Sequence, residues 1–137
     1  MKAITRVNHI GIRVCDFETA RDFYSKLGFE YIAGPTGPEP VAIVMHPCGI
    51  NINLILNANQ PESSNILMDV KTKYTGYTHV ALEVDDAEAV IKELQAMDIA
   101  LSGEMKHPTG HSIFIRDPDL NVIEFCEYIG LSSLKAL

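Results

Sequence analysis

The sequence predicts an α+β chain built from two copies of one plan, a strand and a helix followed by three more strands. The first observation behind this is that Val7-Asn8-His9-Ile10-Gly11-Ile12-Arg13-Val14-Cys15-Asp16 aligns without a gap on the stretch running from Tyr77 to Asp86. His9 falls on His79, Val14 on Val84, Asp16 on Asp86 and Glu18 on Glu88, all at one constant offset. The second is that the ends of the halves also match: Ile52-Asn53-Leu54 corresponds to Ile123-Glu124-Phe125 with one residue of slippage. The third is periodicity, since each half opens with alternation of apolar and other residues, as in a strand, and then passes an acidic helix start.

Residues 4 to 14 read as a strand with His9, Gly11 and Arg13 on one face and Ile10, Ile12 and Val14 on the other. Asp16 caps a helix whose Phe17, Ala20, Phe23, Tyr24 and Leu27 recur at helical spacing, and Gly28 is a natural residue just past its end. Phe29 to Ala33 reads as the next strand, the Gly/Pro-rich stretch 34–40 as a flexible loop, Val41 to Met45 as a strand, Pro47-Cys48-Gly49 as a turn, and Ile50 to Leu56 as a strand. The first module thus spans 4–58, within a single domain of residues 1–137. A connector, 59–76, holds an apolar patch, Ile66-Leu67-Met68, that either packs on a sheet or closes over a pocket.

The second module, 77–128, repeats the plan. Its strand at 77–84 precedes a helix from Asp86 to about Met97, which buries Val90, Ile91, Leu94 and Met97. Strands are expected at Ile99 to Leu101, Ser112 to Arg116 and Asn121 to Glu127, with a loop over Lys106 to His111 and a turn at Asp117-Pro118-Asp119-Leu120. A tail, 129–137, adds a helical turn or frays.

With 137 residues the chain holds one compact domain or two small halves sharing a core. No apolar run approaches bilayer length, and the first residues lack a signal-peptide core, so the expectation is a cytoplasmic protein. A net charge of −7 argues against nucleic acid as a partner, because no Lys/Arg stripe is available to displace phosphate counterions. Cys15, Cys48 and Cys126 are odd in number and lack CxxC spacing, so neither a disulfide framework nor a zinc knuckle is indicated. Cys126 shares a strand face with Glu124 and is the cysteine placed to line a pocket.

The repeat links four positions: His9, Asn53, His79 and Glu124. If the halves pack symmetrically, two imidazoles, a carboxylate and an amide converge. A lone strand histidine is usually a hydrogen-bonded core or surface group. Two at equivalent positions, joined by Glu124, form a 2-His-1-carboxylate set suited to a divalent ion with open coordination positions. His46, His107 and His111 read as edge or loop residues, and His111 is the best placed of them to act as an acid/base beside Glu124.

The chain resembles the vicinal oxygen chelate superfamily, also called the glyoxalase/bleomycin-resistance/dioxygenase superfamily, from Val7 to Tyr128. The resemblance rests on Asn8-His9-Ile10-Gly11-Ile12-Arg13-Val14, Ala20-Arg21-Asp22-Phe23-Tyr24 with Leu27-Gly28-Phe29, Thr78-His79-Val80-Ala81-Leu82, and Arg116-Asp117-Pro118-Asp119 running into Ile123-Glu124-Phe125. It implies tandem βαβββ modules forming a cupped mixed sheet with helices outside. It also implies metal ligands at His9, His79 and Glu124, with Asn53 where glyoxalase I usually has glutamate. Glu124 is then ligand and catalytic carboxylate at once, whereas an amide at Asn53 cannot serve as a base. Leu120 stands where the family often has glycine, so Asn121 is expected to adopt the positive φ of that turn.

The resemblance further implies a lyase or isomerase of glyoxalase I type, acting on a small substrate that chelates Zn, Ni, Co, Mn or Fe(II) through adjacent oxygens. The rivals are an Fe(II) extradiol-type dioxygenase, a Mn-dependent thiol transferase of the fosfomycin-resistance type, and a metal-free drug- or metabolite-binding protein of bleomycin-resistance type. Arg13 matches an arginine that contacts glutathione in glyoxalase I-like proteins, favouring an anionic substrate or thiol. Alternatively it pairs with Glu83, its repeat partner, as a structural bridge. Substrate contacts are thus expected at Arg13, Asn53 and Glu83. The resemblance also implies a homodimer, with each site either shared between chains or contained in one.

Overall fold

The computed structural model describes residues 1–59 and 64–128, and the expected tail at 129–137 lies outside them. The chain divides into two compact units, Met1–Glu62 and Ser63–Leu137.

The first unit runs β1 (Ile10–Arg13), α1 (Phe17–Lys26), β2 (Glu30–Thr36), β3 (Val41–Met45) and β4 (Asn51–Ile55). Its sheet has the order β1-β4-β3-β2, with β1 parallel to β4 and the other pairs antiparallel. The second unit runs β5 (His79–Glu83), α2 (Ala87–Ala96), β6 (Leu101–His107), β7 (Gly110–Arg116) and β8 (Val122–Tyr128). Its order, β5-β8-β7-β6, and its single parallel pair, β5 with β8, repeat the first. The chain is therefore the expected α+β pair of tandem βαβββ modules.

The helix ends show why the repeat folds twice. Asp16 accepts the Thr19 amide at 2.9 Å, and Asp86 accepts the Ala89 amide at 3.0 Å, so each aspartate satisfies a donor that the first helical turn leaves open. At the other end, Phe29 N–H donates to the Tyr24 carbonyl and Ile99 N–H to the Leu94 carbonyl, at 3.0 and 2.9 Å. Both closures are Schellman turns, which need a left-handed residue. Gly28 supplies it in the first with φ +88°, and Asp98 supplies it in the second with φ +57°.

Burial follows from alternation. Ala42, Val44, Ile52 and Leu54 form the core of the first unit with Ala20 and Tyr24 of α1, while Ile113, Ile115 and Ile123 join Ala87 and Leu94 of α2 in the second. Tyr24 is buried in this core, and Tyr77 is fully exposed.

Several boundaries differ from expectation. β2 continues through Gly34-Pro35-Thr36, and β6 covers Leu101–His107, where only a short strand and then a loop were expected. Both are edge strands, which tolerate polar residues and proline because one side of the ladder is unpaired. Leu120 itself, rather than Asn121, takes the positive φ, +66°. Asn121 is held by the Asp117 carboxylate, which accepts its backbone N–H at 2.8 Å and its side-chain amide at 2.9 Å. The Ile66-Leu67-Met68 patch forms a turn in which the Asn65 side chain accepts the Leu67 amide at 2.9 Å. Among the described residues no helix is long and apolar enough to cross a membrane.

Candidate metal centre

In the second unit the parallel pairing of β5 with β8 sets Ala81 opposite Glu124. His79, two residues earlier on β5, then shares a face with Glu124 and lies diagonal to it. The result is an approach of 2.8 Å between His79 Nε2 and Glu124 Oε2, with the two side chains 32% and 12% exposed. At this distance the imidazole and the carboxylate are directly hydrogen-bonded, which brings two atoms of metal-ligating type side by side. His79 Nδ1 lies 2.9 Å from Thr78 Oγ1, and the edge of the ring meets Phe114 with centroids 6.0 Å apart. Were an ion to take Nε2 in place of its proton, Nδ1 would donate to Thr78 Oγ1 and hold the ring's orientation.

Glu124 is also engaged on its other oxygen, which accepts from the Cys126 thiol at 3.2 Å. Beside it lies a cavity of about 360 Å³. Glu124, Cys126 and Tyr128 of β8, Ser112 and Phe114 of β7, and Met105 and His107 of β6 line it, together with Pro108 and Thr109 of the hairpin turn. Cys126 is thus the pocket cysteine, as its spacing from Glu124 suggested. The Tyr128 hydroxyl titrates above its ordinary range, first because of the neighbouring Cys126 thiol, then burial, then the negative charges of Glu124 and Glu83.

The first unit repeats this register. Gly11 stands opposite Asn53 on the parallel pair β1 and β4, so His9 and Asn53 occupy in their unit the places of His79 and Glu124 in the other. His9 Nδ1 donates to Asn8 Oδ1 at 2.8 Å, again a bond from the preceding side chain that leaves Nε2 open. Asn53 Oδ1 is buried without a hydrogen-bond partner, as is Asn51 Oδ1. A buried acceptor left unmatched by protein donors fits a place where an ion or substrate donor is received. The donor set of each unit, an imidazole nitrogen with a side-chain oxygen, is chemically suited to a borderline divalent metal.

Arg13 and Glu83 lie at the ends of β1 and β5. Arg13 Nε donates to Asn57 Oδ1 at 2.7 Å, which ties the guanidinium to its own unit. Glu83 is exposed at the end of β5, on the His79 face.

His111 belongs to β7 and alternates with Ser112 and Phe114, so it points to the face opposite Glu124. There its Nε2 lies 2.8 Å from Glu104, and its Nδ1 lies 3.9 Å from Glu88. The expected contact between His111 and Glu124 is therefore not made.

Glu88, Glu104 and His111 form a second cluster of ligand-type atoms, all within 4.8 Å of one another, which the sequence reading did not single out. The Lys106 ammonium already serves it, at 2.9 Å from Glu88 and 3.7 Å from Glu104. That ammonium holds the Glu88 carboxyl below its ordinary range, and Glu88 in turn raises Lys106. The signal for the cluster lay in the polar alternation of β6, which a loop reading obscures.

The chain belongs to the Glyoxalase/Bleomycin resistance protein/Dioxygenase superfamily, whose family profile matches residues 6–125. It is similar to a lactoylglutathione lyase from Agrobacterium tumefaciens, with 18% identity, 91% of this chain and 95% of that one covered, and a TM-score of 0.66. It is also similar to a mutant fosfomycin resistance protein from Listeria monocytogenes complexed with Mn(II) and a dihydroxypropylphosphonic acid, with 17% identity, coverages of 96% and 98%, and a TM-score of 0.73. An antibiotic binding protein from Streptomyces sp. CB03234 matches at 26% identity, with coverages of 92% and 98% and a TM-score of 0.69. Comparison with curated proteins finds none that matches.

Proposed function

We propose that the chain is a divalent-metal-dependent enzyme of lyase or isomerase type that acts on a small substrate chelating the ion through adjacent oxygens. His9, His79 and Glu124 are the ligands in this reading, with Asn53 as a weak fourth ligand or a substrate contact. The observation that carries it is the 2.8 Å approach of His79 Nε2 to Glu124 Oε2 beside a cavity. The pairing of each histidine's Nδ1 with the preceding side chain supports it, because the same arrangement occurs in both units. When bound, the ion supplies a Lewis acid that stabilises negative charge developing on the chelating oxygens.

Glu124 is placed to hold or move a proton of a substrate lodged in the cavity, since it is the carboxylate among the lining residues. Asn53 cannot take a proton, so a shuttle between two glutamates is excluded and one carboxylate does the acid/base work. Phe114 and the other apolar side chains of the wall would lie against the substrate's body. A homodimer in the cytoplasm belongs to the same proposal.

A second reading, a metal-free binding protein, draws on the similarity to the Streptomyces antibiotic binding protein and on the apolar cavity. Elemental analysis of protein purified without oxygen separates the two. The enzyme reading expects about one divalent ion per chain, lost in Glu124→Ala, with no oxygen uptake on adding catechol. An ion content unchanged by Glu124→Ala would overturn it in favour of the binding protein, and iron with catechol-dependent oxygen uptake would move it to the dioxygenase rival.

A further inference from the structure

We propose that the cavity of the second unit admits an uncharged, apolar, ring-sized group and rejects anions, so that the substrate carries its chelating oxygens on a neutral apolar body. The word substrate rests on the metal-centre reading above, but the preference of the cavity stands on its own walls. Met105, Phe114, Tyr128 and Pro108 provide apolar, aromatic and thioether surface, and such surfaces favour flat rings through edge and sulfur contacts. A volume of about 360 Å³ is at the small end of the range for small-molecule pockets.

Several polar groups of the wall face one another. His107 Nδ1 lies 2.9 Å from Thr109 Oγ1, Ser112 Oγ lies 3.3 Å from Cys126 Sγ, and that thiol donates to Glu124. Among the described residues no lysine or arginine lines the cavity. The nearby cations of the same unit are spent elsewhere, with Arg116 at 2.7 Å from Asp69 and Lys106 at 2.9 Å from Glu88. An anionic tail would therefore stand beside the Glu124 carboxylate with no lysine or arginine of the described wall to pair with, and burying an unpaired charge is costly.

The test is a fluorescence titration with two dyes that share the same rings, neutral N-phenylnaphthylamine and anionic anilinonaphthalenesulfonate. The wild-type protein should bind the neutral dye at least about tenfold more tightly. Met105 is 57% exposed on the edge strand β6, so Met105→Lys introduces a cation at the rim without disturbing the core. It should shift the ratio by about fivefold or more towards the sulfonate. Failure of the neutral dye to bind, equal binding of the two dyes, or a ratio that Met105→Lys leaves unchanged would overturn the proposal. Neither dye needs a metal, and the titration is run with and without chelator. A retained dye preference in protein that binds no ion would defeat the metal-centre reading alone, and a lost preference in protein that binds one ion would defeat this inference alone.

Discussion

If His79 and Glu124 hold an ion, the ion must stabilise the fold, and the size of that stabilisation can be worked out. A ligand at about a hundred times its dissociation constant adds roughly 2.7 kcal/mol to a folded state that alone binds it. At about 2.1 cal/mol/K per residue, a chain of 137 residues unfolds with an entropy near 0.29 kcal/mol/K. The expected rise in Tm on adding metal is therefore about 9 °C. His79→Ala deletes a ligand, and a loss of about a hundredfold in affinity leaves roughly 0.4 kcal/mol, a rise of only 1 to 2 °C. Thr78→Val removes only the group 2.9 Å from Nδ1, and losses of this kind are about tenfold to a hundredfold, so its rise should fall between about 1 and 5 °C. His111→Ala is the control, because His111 faces Glu104 on the other side of the sheet and should keep the full rise. Differential scanning calorimetry with Mn(II) or Ni(II) reads all four proteins. A full rise in His79→Ala, or its loss in His111→Ala, would refute the assignment.

The two helix ends and the acidic residues give the remaining predictions. Asp98→Gly should raise stability by up to about 1 kcal/mol in urea denaturation, because it relieves a left-handed φ of +57° that Gly28 adopts freely in the other unit. Gly28→Ala should cost about 1 to 2 kcal/mol, since φ is +88° and the new Cβ would stand 3.0 Å from His46 Nε2. Asp69 titrates below its ordinary 3.8, held down first by the Asn65 backbone N–H and then by Arg116 against the opposing effect of burial. A depressed carboxylate contributes stability that is full above the unfolded value and is lost as pH falls through the folded one. Thermal melts at successively lower pH should therefore show Asp69→Asn losing less stability than the wild type below about pH 4.

The sequence repeat was a good guide where local chemistry decides the structure. Asp16 and Asp86 start helices, Gly28 ends one, and the register that puts His79 beside Glu124 follows from strand alternation once the parallel pairing is known. The edge strands were harder to read. β6 carries Ser102, Glu104 and Lys106, and with one side of its ladder unpaired it needs no continuous apolar face, so its pattern imitates a loop. That misreading also placed His111 in a loop free to turn towards Glu124. As the second residue of β7, its direction is instead fixed by the pleat. At Asp98 and Leu120 the backbone takes a conformation that composition does not announce, because hydrogen bonds across the turn hold it there.

The equal registers of Gly11 with Asn53 and Ala81 with Glu124 give an electrostatic argument about the proposed centre. An ion of charge +2 held by neutral imidazoles and two carboxylates is compensated, but with Asn53 in place of one carboxylate a full positive charge is left over. Were the ion bound there, that excess would strengthen the pull on negative charge developing at the chelating oxygens, where the interaction would be short and poorly screened. A tail lodged by Met105 and Phe114 would meet apolar surface instead. Replacing Asn53 with glutamate should therefore tighten metal binding while weakening the affinity of a monoanionic chelator such as acetohydroxamate. A calorimetric titration in which both affinities rise would show that the amide's neutrality is not what sets the charge of the site.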